Sequence, residues 1–407
     1  MNITVKQMSK IDYEVYASIK QTAYPGVYAD DDTTRKKIIE HMEKYESAYD
    51  MTYIGAYKDD ELIGGMRFYI FDMNFHGQSI QATGIGSVAV DLLHKKQHVA
   101  QALIEFASNR SQELGIPLIT LFPFNAAFYH SFGYGYGVPV HNYHVSPSHF
   151  KDFKIREGLS YLNPFSFEPL KECFNTYVLN NHGMMHKSTM DESRINTMSD
   201  GRILTFTEDG VVTGYIIFSQ RKISKSNVLR QKLTVQEMIY NTPRALHAFS
   251  SFFNTQKDQI EYIELHTFDP KFYQFLCGIQ HVSNPAQFPL ISHKLNDTSL
   301  GMMYMALDCA ELIEWVEDRV QENLVFNIIY PKGKSAEQEV ESFEINPGHL
   351  ERLELDFTLQ SFSSWIMGAV SLETLHLQGR LECALPQKLK LLDRKFALDS
   401  PKCLNTF

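Results

Sequence analysis

Residues 87–103 read SVAVDLLHKKQHVAQAL, in which a short apolar strand is followed by a basic turn and an amphipathic helix. Lys95 and Lys96 lie in the turn, and apolar residues recur on one face of the helix until Gly115. A strand that leads into a helix in this way directs backbone N–H groups and the positive end of the helix dipole toward one point. We therefore predict that a phosphate or pyrophosphate group binds at this turn.

The segments on either side of this passage predict a mixed α/β domain. Before it, residues 52–90 have the pattern of successive antiparallel strands, with turns near Asp59 and His76. After it, residues 116–124 (IPLITLFPF) predict a short buried strand. A strand, a helix and a second strand in this order form a parallel pair with a right-handed crossover. We expect roughly the first 140 residues to fold in this way.

Two further regions follow along the chain. In the middle of the sequence a helix precedes a hairpin about Asp209 and Gly210, and a second helix begins after Thr242. This order repeats that of the first domain, and an internal duplication stays open because the two halves share no detectable sequence identity. From about Ser299 the pattern changes to that of a smaller α+β region.

Composition limits the classes of protein that fit the chain. It has 407 residues, 44% of them hydrophobic, and a formal net charge of −10. There is no apolar run of about twenty residues and no signal-peptide pattern at the N-terminus, so we expect a cytoplasmic protein that does not engage a membrane. The negative charge disfavours nucleic acid and slightly favours a cationic small molecule as partner.

Cysteine and histidine spacings do not predict a metal site. The 5 cysteines are scattered and form no CxxC pair, so we expect neither disulfides nor a zinc ribbon. His182 and His186 are four residues apart in HGMMH, but the stretch lacks an HExxH glutamate and an evident third ligand. We interpret both histidines as surface or packing residues.

A second unusual stretch, FYHSFGYGYG at residues 128–137, is too rich in aromatic residues and glycine for a regular helix or strand. This stretch and residues 87–103 each resemble a motif of a known family. Residues 87–103 resemble the acyl-CoA-binding motif of the GNAT superfamily of N-acetyltransferases, a V-x-V strand followed by an R/Q-x-x-G-x-G/A turn. Lys95 stands at the first position of that turn, His98 at the central glycine and Ala100 at the last position. Residues 128–135 match F/I-Y-x-x-F-G-Y-G, the pattern of the enhanced intracellular survival (Eis) family, at every specified position.

The Eis resemblance implies a fold of the α/β and α+β classes with three domains. These are an N-terminal GNAT catalytic domain at 1–145, a second GNAT-like mixed-sheet domain at 146–295 and a sterol-carrier-protein-like domain at 296–407. Family members end in a phenylalanine whose carboxylate enters the active site of the first domain, and this sequence ends in SPKCLNTF at Phe407. The resemblance also implies a homo-oligomer, such as a hexamer.

The activity implied is that of an acetyl-CoA-dependent N-acetyltransferase without a metal. Its acceptor would be a primary amine on a cationic molecule, either an aminoglycoside-like compound or a lysine side chain. Tyr129 is implied as the general acid toward the thiolate of coenzyme A, and the Phe407 carboxylate as the base toward the amine. The implied contacts of coenzyme A are Val88, Ala89, Val90, Lys95, Lys96, Gln97, His98, Val99, Ala100, Gln101, Phe124 and Asn125.

One departure from the motif keeps an alternative open. Glycine at the position of His98 would let the pyrophosphate approach the backbone closely, and a side chain there could obstruct it. A protonated imidazole could instead donate a hydrogen bond to the phosphate. The alternative function is therefore a catalytically impaired GNAT-like protein that serves as a binding or regulatory module.

Overall fold

A computed structural model describes residues 3–45, 50–187, 189–196, 201–227, 229–278, 294–331, 339–348, 351–405 and 407. The chain divides into two compact units. Unit 1 comprises Met1–Gly137, Met302–Pro401 and Thr406–Phe407, and unit 2 comprises Val138–Gly301 and Lys402–Asn405. The three-domain division with boundaries after residues 145 and 295 stays a prediction beside these two units.

Strands and helices are numbered along the chain. Up to residue 137 they are β1 (Thr4–Gln7), α1 (Tyr13–Ala23), α2 (Asp32–Lys44), β2 (Met51–Lys58), β3 (Glu61–Phe75), β4 (Gln78–Val90), α3 (Val99–Glu113), β5 (Leu118–Leu121), α4 (Ala126–His130) and β6 (Gly135–Tyr136). From 138 to 301 they are β7 (Pro139–Val145), β8 (Leu159–Tyr161), α5 (Glu168–Leu179), α6 (Thr189–Asn196), β9 (Arg202–Glu208), β10 (Val211–Lys222), β11 (Gln231–Tyr240), α7 (Pro243–Thr255), β12 (Ile260–Thr267) and β13 (Asp297–Leu300). The remaining elements are β14 (Met303–Ala306), α8 (Cys309–Glu317), β15 (Asn323–Ile329), β16 (Val340–Ile345), β17 (Arg352–Thr358), α9 (Leu359–Ile366), α10 (Leu372–Leu377), β18 (Leu381–Glu382) and α11 (Leu389–Phe396).

The two strands of the predicted strand–helix–strand unit, β4 and β5, lie at the centre of the first sheet in unit 1, and the helix between them is α3. This sheet has seven strands in the order β1-β2-β3-β4-β5-β14-β6, and only the β4–β5 pair is parallel. Helix α3 connects β4 to β5 and buries Val99, Leu103, Ile104 and Ala107 on one face. The chain turns after α3 at Gly115, whose φ of 68° suits glycine.

Unit 2 contains a sheet with the same plan. Its order is β13-β7-β12-β11-β10-β9-β8, with β11 and β12 parallel and joined by α7. In each sheet the strand beside the parallel pair comes from a distant part of the sequence, β14 in the first and β7 in the second. The shared plan agrees with an internal duplication.

The third sheet belongs to unit 1 and has four strands in the order β16-β15-β17-β18. Trp365 of α9 is buried against this sheet, with ring centroids 5.6 Å from Phe326 and Phe357 and 5.1 Å from Phe396 of α11. The likeness of this region to sterol-carrier proteins stays a prediction. Among the helices of the described segments, none has the length and apolar character needed to cross a membrane.

Candidate active site

A bulge in β4 shapes the floor of the site. Gly65 pairs with Ala89 and Arg67 with Gly86, so two residues of β4, Ser87 and Val88, lie opposite a single residue of β3. Two tyrosines of the N-terminal helical region hold the bulge. The Tyr16 hydroxyl donates a hydrogen bond to the Ser87 carbonyl at 2.7 Å, and the Tyr24 hydroxyl donates one to the Val88 carbonyl. The bulge redirects β4 toward the basic turn.

The first sheet opens between β4 and β5, just before the bulge. The parallel pairing of β4 with β5 ends at Ile85 and Leu121, although β4 continues to Val90. A cavity of about 460 Å³ lies where β4 leads into α3. It is lined by Ala23, Tyr24, Val88, Val90, His94, Lys95, Lys96, His98, Val99, Ala100, Gln101, Phe124, Asn125, Phe128 and Tyr129. We call it the turn cavity.

Ten of the twelve side chains expected to contact coenzyme A line the turn cavity. The two exceptions are Ala89 and Gln97. Ala89 is almost fully buried, and the Gln97 side-chain amide donates to the Leu93 carbonyl at 3.1 Å within the turn. Sequence position alone did not separate these two residues from their neighbours, because alternate strand residues point to opposite faces and a turn residue can bond within its own turn.

The backbone of the basic turn has the conformation that the GNAT motif assigns to glycine. Lys96 and His98 both have φ of 64°, in the left-handed region that favours glycine. His98 is the residue immediately before α3 and no side chain caps that helix, so its first-turn N–H groups have no side-chain acceptor. The exposed imidazole bonds instead to Gln101, with Nδ1 2.9 Å from Oε1.

Replacing His98 by Gly tests whether the imidazole obstructs the turn cavity. The left-handed conformation of a residue with a side chain costs roughly 1–2 kcal/mol, and glycine removes this cost. Glycine also increases the conformational entropy of the unfolded chain, which offsets part of the gain in stability. We expect the free energy of unfolding to change by less than about 1 kcal/mol. We expect the affinity for acetyl-CoA to change by less than about threefold, measured by calorimetric titration.

Lys96→Gly is the matched control, because it changes a residue with the same φ and removes a positive charge as well. It should weaken acetyl-CoA binding more than His98→Gly does. A gain of tenfold or more in His98→Gly would show that the imidazole blocks the cavity.

The aromatic and glycine-rich stretch at residues 128–137 forms the end of the short helix α4 and the closely packed segment that follows it. Asn125 caps α4 by accepting a hydrogen bond from the Phe128 N–H at 3.2 Å. Tyr129 on α4 is buried, and this burial, with a smaller contribution from Tyr24, raises its pKa to about 12. After the helix, a Cβ on Gly135 would lie 2.3 Å from the Gln360 carbonyl oxygen of α9. Glycine is therefore required where the backbone of this stretch meets α9.

A second cavity, of about 370 Å³, lies next to the first. Its lining consists of Tyr24, Val27, Tyr28, Arg67, Ile85, Gly86, Ser87, Val88, Phe122, Pro123, Phe124, Tyr129 and Phe407. We call it the tail cavity. Four residues line both cavities, namely Tyr24, Val88, Phe124 and Tyr129. Tyr129 therefore lies at the junction of the two.

Phe407 is packed into the tail cavity. Its ring contacts Tyr69, Phe71 and Phe122 at centroid distances of 5.4, 5.0 and 5.5 Å. Two glycines of β4 provide the space. A Cβ on Gly84 would lie 2.9 Å from the Phe407 ring, and a Cβ on Gly86 would lie 3.1 Å from its carboxyl carbon.

Hydrogen bonds hold the segment that precedes Phe407. The Asn405 side chain accepts from the Met185 N–H at 3.2 Å and donates to the Met185 carbonyl at 2.9 Å. The Lys402 N–H donates to the carbonyl of His182 at 2.8 Å. His182 itself is buried, as expected for a packing residue.

Two acetyltransferase (GNAT) domain models match the chain, one at residues 4–137 and the other at residues 183–281. The chain is a GNAT acetyltransferase. Among curated proteins, none matches it significantly in sequence.

The acetyltransferase shares its fold with solved structures of low sequence identity. A GCN5-related N-acetyltransferase from Anabaena variabilis is similar at 16% identity with a TM-score of 0.77, and the match covers 100% of both chains. Eis1 from Mycobacterium abscessus is similar at 14% identity with a TM-score of 0.74, again over 100% of both chains. A probable N-acyltransferase from Enterococcus faecalis is similar at 17% identity with a TM-score of 0.72 and the same coverage. The Eis-like fold therefore extends along the whole acetyltransferase.

Sequence reasoning missed two basic side chains, one that lines the tail cavity and one that is buried near it. Arg67 lines the cavity from β3, and Lys20 of α1 is only 3% exposed. The Lys20 ammonium lies 4.9 Å from the ring centroid of Tyr28, which also lines the cavity. Both cations interrupt apolar patterns. Arg67 follows Met66 in a buried strand, and Lys20 continues the buried face of α1. A charged residue on an apolar face was the available signal.

Replacing Lys20 by Met should stabilise the acetyltransferase most at low pH. Burial, and then the charge of Arg67, lower the pKa of Lys20 to about 7, whereas an unfolded lysine titrates near ~10.4. Because the unfolded chain binds this proton more tightly, the charged lysine destabilises the fold below about pH 7, and the penalty fades toward about pH 10. We expect urea unfolding to show a gain on the order of 2–4 kcal/mol near pH 6 that shrinks as the pH rises.

Lys36→Met, at an exposed position of α2, should show no comparable pH dependence. An equal effect of Lys20→Met near pH 6 and near pH 10 would contradict the burial of a charged lysine at this position.

Proposed function

We propose that the chain is an acetyl-CoA-dependent N-acetyltransferase that acetylates a primary amine. The observation that carries the proposal is the position of Tyr129 in the lining of both cavities. One cavity has the basic turn and an uncapped helix N-terminus, and the other holds the carboxyl group of Phe407. A donor and an acceptor bound in these cavities would meet beside Tyr129.

The turn cavity fits the pyrophosphate and pantetheine parts of coenzyme A. The first N–H groups of α3 and the ammonium groups of Lys95 and Lys96 supply donors and positive charge for a pyrophosphate. Beyond Ile85 the described β4 backbone has no pairing with β5, so N–H groups on that side are open to an amide-containing arm or a thioester carbonyl. Acetyl-CoA, when bound there, supplies the activated acetyl group.

The acceptor amine must lose a proton during the transfer. An alkyl ammonium with a pKa of ~10.4 is almost wholly protonated near neutral pH, so its lone pair has to be freed before nitrogen can bond to the carbonyl carbon. We assign this proton to the Phe407 carboxylate. A free α-carboxyl has a pKa of only ~3.3–3.7 and is a weak base, so this role requires desolvation of the carboxylate in the closed site or an acceptor amine of lowered pKa.

The carbon–sulfur bond then breaks and negative charge develops on sulfur. We assign Tyr129 to this side of the reaction. Because its pKa is raised to about 12, the hydroxyl keeps its proton throughout the neutral range and can donate to the departing sulfur. Complete proton transfer to a thiolate whose conjugate acid has a pKa near ~8.5 is uphill from such a phenol, so Tyr129 acts mainly by stabilising charge through its hydrogen bond.

The alternative of an impaired binding or regulatory module rests on His98 at a glycine position. This residue takes the left-handed conformation and its imidazole bonds to Gln101, but it also lines the turn cavity, so the His98→Gly titration decides between the two functions. The expected cationic acceptor has no support from the tail cavity, because no acidic side chain is among its described lining residues.

Release of free thiol from acetyl-CoA in the presence of amines tests the proposal. Wild-type protein should release thiol in proportion to N-acetylated amine, and calorimetric titration should show acetyl-CoA binding at about micromolar concentration. Binding without any acetyl transfer would favour the binding module. Absence of both would remove the proposed function.

A further inference from the structure

The charges of the tail cavity differ from those expected for a cationic acceptor. Among the described residues that line the cavity, Arg67 is the only one with a charged side chain, and the Phe407 carboxylate is the only anion. A polycation would find one carboxylate, already required as a base, and a guanidinium that repels it. The cavity therefore selects against highly positive acceptors.

Arg67 and the Phe407 carboxyl group lie on the same face of the first sheet. Arg67 is paired directly with Gly86, and side chains of a directly opposed antiparallel pair share a face. A Cβ on Gly86 would point toward the Phe407 carboxyl carbon at 3.1 Å. Arg67 and Phe407 also line the same cavity. The base and the cation can therefore contact different groups of one ligand.

The guanidinium has unused hydrogen-bonding capacity. Its Nε is buried and has no hydrogen-bond partner among the described residues. The guanidinium lies beside the ring of Tyr69, whose centroid is 5.5 Å from Cζ. A buried donor without an acceptor is costly, and an anion bound in the cavity would supply an acceptor for the guanidinium.

Two further basic side chains, Lys20 and His41, lie near enough to Arg67 for its charge to lower their pKa values. Burial first, and then Arg67, lower the pKa of Lys20 to about 7. Burial, then Arg67, Lys20 and Lys44, lower the pKa of His41 to about 4. No Asp or Glu is among the groups that shift these two pKa values. At neutral pH His41 is therefore uncharged and Lys20 is only partly charged, so among these three side chains Arg67 carries the permanent positive charge.

The other residues that line the tail cavity indicate the size and character of the rest of the ligand. Tyr24, Tyr28, Phe122 and Phe124 provide aromatic walls, and Ile85 and Pro123 add apolar surface. A cavity of about 370 Å³ with these walls suits a molecule of amino-acid size that has an apolar or aromatic body.

We propose that the acceptor is a small primary amine that also carries an anionic group, a carboxylate or a phosphate, which Arg67 binds while the amine faces the Phe407 carboxylate. This inference rests on the proposed function and names the substrate class of the same site. The ammonium form of the acceptor loses one proton to the Phe407 carboxylate, which passes it to solvent, and a second proton as the amide forms. The carbon–sulfur bond of acetyl-CoA breaks, the sulfur gains one proton, and the anionic group takes no part in bond making. Arg67 is thus a specificity residue.

Matched pairs of amines test the inference. Acetyl transfer is measured with L-phenylalanine and its amide, β-alanine and its amide, and phosphoethanolamine and ethanolamine, with kanamycin as the polycation. The wild type should prefer the anionic member of a pair by about 10-fold or more in kcat/KM. Arg67→Met should reduce the preference to within about twofold, and Arg67→Lys should retain part of it.

Two controls separate specificity from damage to the fold. Arg110→Met, at an exposed ion pair on α3, should keep the preference of the wild type. Arg67 does not line the turn cavity, so acetyl-CoA should bind the Arg67 variants as it binds the wild type. In parallel, each amine is titrated calorimetrically into protein saturated with coenzyme A, which measures acceptor binding without chemistry.

The outcomes distinguish this inference from the proposed function. A preference for anionic members that disappears in Arg67→Met supports the inference, and the pair with the larger ratio shows whether the anion is a carboxylate or a phosphate. Equal or better transfer to the neutral amines or to kanamycin overturns the inference and leaves the acetyltransferase function intact. Binding of anionic amines through Arg67 without transfer overturns the proposed function but supports the selectivity of the cavity. If no anionic amine binds or reacts better than its neutral partner, the inference is wrong.

Discussion

Replacing the carboxylate of Phe407 by a carboxamide should lower kcat/KM for amine acetylation by about 10²–10⁴-fold, the range for loss of a general base. The carboxamide has nearly the same shape but cannot accept the proton of the ammonium group. It can be introduced by ligation of a synthetic C-terminal peptide. Acetyl-CoA binding should not change, because Phe407 lines the tail cavity and not the turn cavity.

Two variants separate the charge of Phe407 from its ring. Phe407→Ala keeps a carboxylate and removes the contacts with Tyr69, Phe71 and Phe122, so it should lose activity through poorer positioning of the carboxylate. Addition of one glycine after Phe407 moves the carboxylate by about 3.8 Å along the chain and should be nearly as harmful as the carboxamide. Full activity of the carboxamide protein would show that the base is another group.

The second large effect is expected from Tyr129→Phe, which removes the hydroxyl at the junction of the cavities. We expect kcat to fall by about 10²-fold, because charge on the departing sulfur loses its donor, while the affinity for acetyl-CoA changes little. The dependence of wild-type kcat on pH tests the same role of Tyr129. Burial raises the pKa of Tyr129 to about 12, so the donor form persists and kcat should not decline between about pH 7 and pH 10.

Tyr134→Phe is the matched control for this variant. The Tyr134 ring lies 5.9 Å from that of Tyr129, and its buried hydroxyl has no hydrogen-bond partner among the described residues. Because Tyr134 lines neither cavity, its replacement should leave kcat unchanged. Equal losses in the two variants would mean that Tyr129 acts through packing. A fall of wild-type kcat above about pH 8 would contradict its role as a persistent donor.

Local sequence patterns predicted the part of the fold that local interactions determine. The strand, basic turn and helix at residues 87–103 correspond to β4, the turn and α3, because apolar periodicity and the stop at Gly115 are encoded within a few residues. The pairing of β14 with β5 and β6 was not predicted. Met303 and Leu121 are partners from distant parts of the chain, and β14 has only four residues and is buried throughout. Neither the hydrophobic pattern of β14 nor the residues next to it in the sequence indicate which sheet it joins.

The site residues that belong to a short sequence motif could be predicted. The site residues that come together only through pairing of distant strand segments could not. Tyr129 and the basic turn were expected from short motifs, and the structure adds that they line one cavity. Arg67 enters the tail cavity because it is paired with Gly86 next to a bulge, which depends on the register between β3 and β4. Bulk charge does not identify the acceptor, because a net charge of −10 says nothing about which charges line a cavity.

The most direct test of the central claim is transfer of an isotopically labelled acetyl group from acetyl-CoA to an amine, followed by mass spectrometry of the product and a count of free thiol in the same sample. The account predicts labelled N-acetyl amine and free coenzyme A thiol in equal amounts with the wild type, and a strong reduction of both with the Phe407 carboxamide protein. Thiol release by hydrolysis alone, with no labelled amine from any acceptor, would contradict it.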